Sequence, residues 1–175
     1  MTFPQYTTDR LYLRPTDLLD ATFIFELLNS PLWIQYIGDR GVHSLEAAEA
    51  YINERMLTQL NERGYGNFTV VRLSDGAKLG CCGIYHRPGI ELPDLGFAFL
   101  GEYMGQGYGH EAATRLLRAA HEDFGLTALR AITTPENTAS RRLLERLGFM
   151  DQGLETALYE GEAETMQLYI WRLAH

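Results

Sequence analysis

Lysine is almost absent from this 175-residue chain; Lys78 is the only one. Fifteen basic residues face 23 acidic ones, for a formal charge of −8. So acidic a chain is a poor match for a phosphate backbone, which excludes wholesale nucleic-acid binding. Cysteine is scarce too. Cys81 and Cys82 are adjacent in an apparent strand; a bridge between them would be strained, and a metal site would want a second pair. They read as buried reduced thiols, as expected of a cytoplasmic protein. No apolar run approaches the roughly 20 residues that cross a bilayer, so no membrane segment is expected. The opening MTFPQYTTDR lacks the basic and then apolar stretch of an export signal. His43, His110, His121 and His175 keep no metal-ligand spacing, so no metal is expected. No repeat, linker or low-complexity tract interrupts the chain.

The apolar share, 46%, is ordinary for a globular fold, and the length predicts one domain over residues 1–175. Charge is uneven: from Gln106 to Phe149 six arginines meet five acids. That segment tolerates an anion, while cations are welcome elsewhere.

Arg10 to Arg14 alternate as a strand. Asp17 caps a helix to about Asn29, with Pro31 beyond its end, and Ser44 opens a second helix that stops at Gly64. GNFTVVRLSDGAKLGCCGIYH is a hairpin about the turn SDG, and PDLGFAFL adds a third strand. A helix carries Ala113, Leu116, Leu117, Ala120 and Phe124 on one face and stops at Gly125. TALRAITT is a strand, NTASRRLLERLG a helix, and FMDQGLETALY pairs with TMQLYIWRL. The order β-α-α-β-β-β-α-β-α-β-β predicts an α+β fold, a mixed sheet with helices over it.

The stretch GEYMGQGYGHEAA places glycines at 105, 107 and 109 before a helix. A Walker loop is excluded, because no lysine follows; a dinucleotide fingerprint would need glycine where His110 stands. What remains is backbone N–H groups converging beside a helix N-terminus, which favours an anion such as a pyrophosphate. A tight strand-to-helix connection is the alternative.

With PENTASRRLLERLGF, TDRLYLRPTDLLDA and DLGFAFLGE, this stretch resembles the GNAT superfamily of acyl-CoA-dependent N-acyltransferases, in its RimJ/RimL-like branch of ribosomal-protein N-terminal acetyltransferases. The resemblance implies the GNAT fold, acetyl-CoA as cofactor, and an amine acceptor on a protein N-terminus or small molecule. It implies that Met104, Gly105, Gln106, Gly107, Tyr108 and Gly109 bind the pyrophosphate of coenzyme A, with Met104 departing from the usual Gln or Arg. Asn137 and Ser140 would face the pantetheine arm, and Arg141, Arg142 and Arg146 are candidates for the ribose phosphate. The strand ending Phe99-Leu100 would splay from LRAITT, with a backbone N–H near Phe99 or Leu100 stabilising the oxyanion. Where relatives carry a tyrosine acid this chain has Leu144, so Ser140 is the candidate acid. Asp94 is the candidate base, acting through a water, and Thr133 and Thr134 fill the place of a second one. Trp33, Tyr36, Tyr85 and His86 are candidates for the acceptor pocket, and Asp39 for holding a cation.

An α-amine, with pKa about 8, is substantially neutral near pH 7.5, whereas lysine near 10.4 must first be deprotonated across about three pK units, at a cost of roughly 4 kcal/mol. One modest carboxylate suits the α-amine. Three readings stay open: protein N-terminal acetylation, acetylation of an antibiotic or other small amine, and a non-catalytic acyl-CoA-binding module. Dimers occur among relatives, so a homodimer is compatible with the resemblance.

Overall fold

The computed structural model describes residues 2–159 and 162–174. Its frame is an eight-stranded sheet in the order β1-β2-β3-β4-β5-β6-β8-β7. The strands are β1 (Tyr6–Thr7), β2 (Leu11–Pro15), β3 (Asn67–Arg72), β4 (Lys78–Tyr85), β5 (Asp94–Phe99), β6 (Ala128–Thr133), β7 (Met150–Tyr159) and β8 (Glu162–Arg172). Every pairing is antiparallel except that of β5 with β6.

Period-two alternation sends successive side chains to opposite faces. On one face Phe68, Val70, Cys82, Ile84, Leu95 and Phe99 pack against helix α5 (Tyr108–Glu122). On the other, Cys81 and Ala98 pack with α1 (Ala21–Leu28) and α3 (Leu45–Tyr51). The two cysteines therefore point to opposite cores as free thiols. Burial pushes the Cys81 thiol up to about 12, which keeps it protonated.

Three departures from the sequence reading are local. Pro31 opens a helix, α2 (Pro31–Tyr36), with Ser30 before it, because proline at a first helical position gives up an amide that has no intrahelical partner anyway. Asp17 caps a single 3-10 turn, Leu18–Asp20, through a reciprocal capping box. The expected helix from Ser44 to Gly64 is present, but a π-helical segment, Ile52–Leu57, divides α3 from α4 (Thr58–Arg63).

β5 and β6 meet in parallel at one position, Asp94 opposite Arg130, where the Arg130 amide donates to the Pro93 carbonyl at 2.9 Å. Beyond that root the two strands splay into a fork. Among the described residues no helix is long and apolar enough to cross a membrane, and no cluster of three His, Cys, Asp or Glu could hold a metal; His175 lies outside them.

Candidate active site

The fork opens into a cavity of about 850 Å3 that runs from the glycine loop, past α6 (Thr138–Arg146), to α2 and the π segment. At one end, Gly105 and Gly107 adopt φ of 73° and 83°, left-handed values that a side chain resists. Gly107 is the N-cap of α5, with no side chain to cap the first turn. Among the described residues nothing accepts a hydrogen bond from the amides between Gly105 and His110. Gly109 serves packing instead: a Cβ there would stand 3.1 Å from Leu143 Cδ2 and 3.5 Å from the Phe99 ring. Met104, Gly105, Gly107, Tyr108 and Gly109 line the cavity. Gln106 does not; its side chain turns back to donate to the Glu102 carbonyl at 3.1 Å.

Strand parity decides which amides of β5 face the fork. Leu100 donates its N–H to the Leu79 carbonyl at 3.0 Å, and Gly80 lies opposite Phe99. Alternate residues of an antiparallel strand turn their amides to opposite sides. The even positions of β5 therefore bond to β4, and Phe97 and Phe99 turn theirs toward the fork. The expectation for Leu100 is corrected accordingly: its amide is already engaged.

At the root of the fork stands Asp94, 2% exposed. Its Oδ1 lies 2.8 Å from Arg130 Nε, and its Oδ2 accepts from Arg87 Nε. Burial pushes the carboxyl up from its ordinary range, while the two guanidiniums pull against that rise. Arg130 also reaches Glu155 at 3.0 Å. A carboxylate with each oxygen set on a cation is an anchor between strands, and the expectation of a water-assisted base at Asp94 is revised on that ground.

On α6, the Asn137 side chain accepts from the Ser140 amide at 3.1 Å, a helix cap. Asn137, Ser140, Arg142 and Arg146 line the cavity, and Leu144 is buried. Arg141 is directed elsewhere: it donates to the Tyr169 hydroxyl at 3.1 Å and to the Pro135 carbonyl at 3.2 Å. Thr133 is buried beneath the cavity.

At the far end Trp33, Tyr36 and Tyr85 line the cavity, together with Tyr51 and Gln59, which the sequence did not single out. His86 stays outside, its amide held by Gln59 Oε1 at 2.9 Å, and Asp39 is occupied with the Gly41 amide and His43. Tyr85 folds back over Gly83 and Gly96: a Cβ at either would come within 2.7 Å of its side chain. Its hydroxyl donates to Asn67 Oδ1. Asn67 Nδ2 donates to Thr16 Oγ1 at 2.7 Å, Thr16 meets Thr69 at 2.8 Å, and Thr69 donates to Asp20 at 3.1 Å. Burial pushes the Tyr85 phenol well up, so it stays neutral. With its proton committed to Asn67, its oxygen has lone pairs left to offer.

An acetyltransferase (GNAT) domain family matches residues 10–150. Over 147 residues the chain is 26% identical to the uncharacterized N-acetyltransferase YnaD of Bacillus subtilis (strain 168), covering 84% of this chain and 83% of that one. A putative ribosomal-protein-serine acetyltransferase from Vibrio cholerae superposes with a TM-score of 0.80 at 26% identity, covering 96% and 97%. RimL, a ribosomal L7/L12 alpha-N-protein acetyltransferase solved with coenzyme A, gives 0.80 at 18% identity, covering 96% and 97%, a likeness of fold alone.

Proposed function

As the chain belongs to the GNAT acetyltransferase family, we propose that this N-acetyltransferase takes its acetyl group from acetyl-CoA and delivers it to an α-amine in a ternary complex. Residues 1–175 would act as one domain in a reducing cytoplasm. The observation that carries the reading is the shared cavity: a glycine loop whose amides have no acceptor among the described residues and a forked pair of strands open onto the same space.

The residues fit the donor. Gly105 and Gly107 hold the left-handed φ that shapes the loop for a pyrophosphate, and Arg142 and Arg146 lie on the cavity side of α6 for a further phosphate. Bound there, acetyl-CoA supplies an acetyl group already activated as a thioester. The outward amides of Phe97 and Phe99 can pair with the pantetheine arm and stabilise negative charge growing on the carbonyl oxygen. Ser140, which lines the cavity, would contact the arm or give a proton to the departing sulfur. The Tyr85 oxygen accepts from the incoming amine and turns its lone pair toward the acetyl carbon. Solvent takes the amine's surplus proton, since Asp94 is occupied.

Arg40, Arg55 and Arg87 also line the acceptor half. Thiol release from acetyl-CoA across peptides with free N-termini, blocked peptides bearing lysine, and small amines tests the proposal. Turnover is expected with free N-termini. Preference for ε-amines would overturn the acceptor, and tight coenzyme A binding without turnover on any amine would indicate a binding module.

A further inference from the structure

Outside the cavity, one residue from the other end of the chain grips the glycine loop. Arg10, on the turn between β1 and β2, donates from Nη1 to the Gln106 carbonyl at 3.0 Å. Its Nε donates to Glu111 Oε2 at 2.7 Å, and its own amide donates to Glu111 Oε1 at 2.9 Å. Thr8 Oγ1 adds a bond to the same Oε1 at 2.6 Å. The guanidinium lies 4.4 Å from the centroid of the Tyr108 ring, and a Cβ on Gly107 would come 3.3 Å from its Nη2.

Peptide geometry gives this contact a consequence. In a trans peptide the C=O and N–H point in opposite directions. Holding the Gln106 carbonyl outward therefore turns the Gly107 amide toward the cavity. The lock is needed because Gly105 and Gly107 lack the side chains that restrict a backbone, so the 106–107 peptide could rotate and present a carbonyl where an anion should sit. Arg10 also covers the carboxylate of Glu111, which stands in the first turn of α5. A bare carboxylate there would repel phosphate.

We propose that Arg10 is a positioning residue for the acyl donor, locking the 106–107 peptide so that the Gly107 amide faces the pyrophosphate and neutralising Glu111 beside it. This rests on the reading of the loop as the coenzyme A pyrophosphate site.

The test compares acetyl-CoA with S-acetyl-pantetheine, which lacks the pyrophosphate, in the wild type, Arg10→Met, Arg10→Lys and the double variant R10M/E111Q. The wild type is expected to prefer acetyl-CoA. Arg10→Met is expected to raise KM for acetyl-CoA by about 10-fold, the usual worth of a charged hydrogen bond. Its kcat, its acceptor KM and its kcat/KM for acetyl-pantetheine should stay within about 2-fold, since the lock acts on the pyrophosphate alone. Arg10→Lys keeps the charge but donates from one nitrogen, so it should recover part of the loss; because it preserves the ion pair, it reports even if Arg10→Met folds poorly. R10M/E111Q should retain most of the loss. Equal losses on both donors, or unchanged acetyl-CoA kinetics, would overturn the proposal. So would full recovery in the double variant, which would leave repulsion as the whole effect. A wild type indifferent between the donors would instead refute the pyrophosphate site, a separate and earlier failure.

Discussion

Replacing Asp94 by Asn separates an anchor from a base. The two side chains are nearly isosteric, so the change removes one charge and little volume. Arg130, whose side chain is only 8% exposed, would keep Glu155 at 3.0 Å but lose its partner at 2.8 Å; Arg87 would lose an accepting oxygen. Removing one member of a buried ion pair costs about 3–5 kcal/mol, and the surviving Glu155 contact argues for the lower end, about 3. A domain of this size loses roughly 2–4 °C per kcal/mol, so the melting midpoint should fall by about 6–12 °C. Enzyme that remains folded should keep a pH–rate profile of wild-type shape, because Asp94 moves no proton. Calorimetry with steady-state kinetics from about pH 6 to about pH 9 reads both quantities. A melting point within about 1 °C of wild type, with kcat down about 100-fold and the acidic limb gone, would refute the reasoning and restore Asp94 as base.

Asp20 predicts acid sensitivity. Burial alone would raise its carboxyl, but hydrogen bonds from Arg14 and Lys78 outweigh that and bring it down to about 2. A depressed carboxylate adds stability that is present above the unfolded value near 4 and lost as pH falls toward about 2, about 2–3 kcal/mol in all. Urea unfolding at about pH 5 and about pH 2.5 should show this difference shrinking in Asp20→Asn, and an identical pH slope in that variant would contradict it. For Ser140→Ala, kcat with acetyl-CoA should fall by about 10- to 100-fold if the hydroxyl protonates the departing thiolate; a raised KM at constant kcat would make it a pantetheine contact instead.

Much of the fold was legible because its signals are local. Alternation marks β2, the turn SDG marks the hairpin of β3 and β4, and the spacing of Ala113, Leu116, Leu117 and Ala120 marks α5. The glycine loop at 105, 107 and 109 was legible as a loop before a helix, but the residues alone did not say that Gly105 and Gly107 take left-handed φ while Gly109 packs against Leu143 and Phe99. Pro31 does lie beyond the end of α1, but α2 was missed because proline both follows helices and begins them, and only the chain after it decides. Choosing between Phe99 and Leu100 needed strand register, which a lone sequence does not carry. Arg10, Arg87 and Arg130 passed unnoticed at their true places: each acts through a partner whose nearness arises from folding, and no spacing motif encodes it.

Because β5 and β6 touch at one rung, the sheet amounts to two plates with a seam between them. Residues 128–172 supply the smaller plate, β6-β8-β7, and β1 to β5 the larger. Cooperative unfolding units often follow such boundaries. In deuterium exchange, the amides of the two plates should open as separate blocks, and a molecule wedged in the seam would draw those blocks into one.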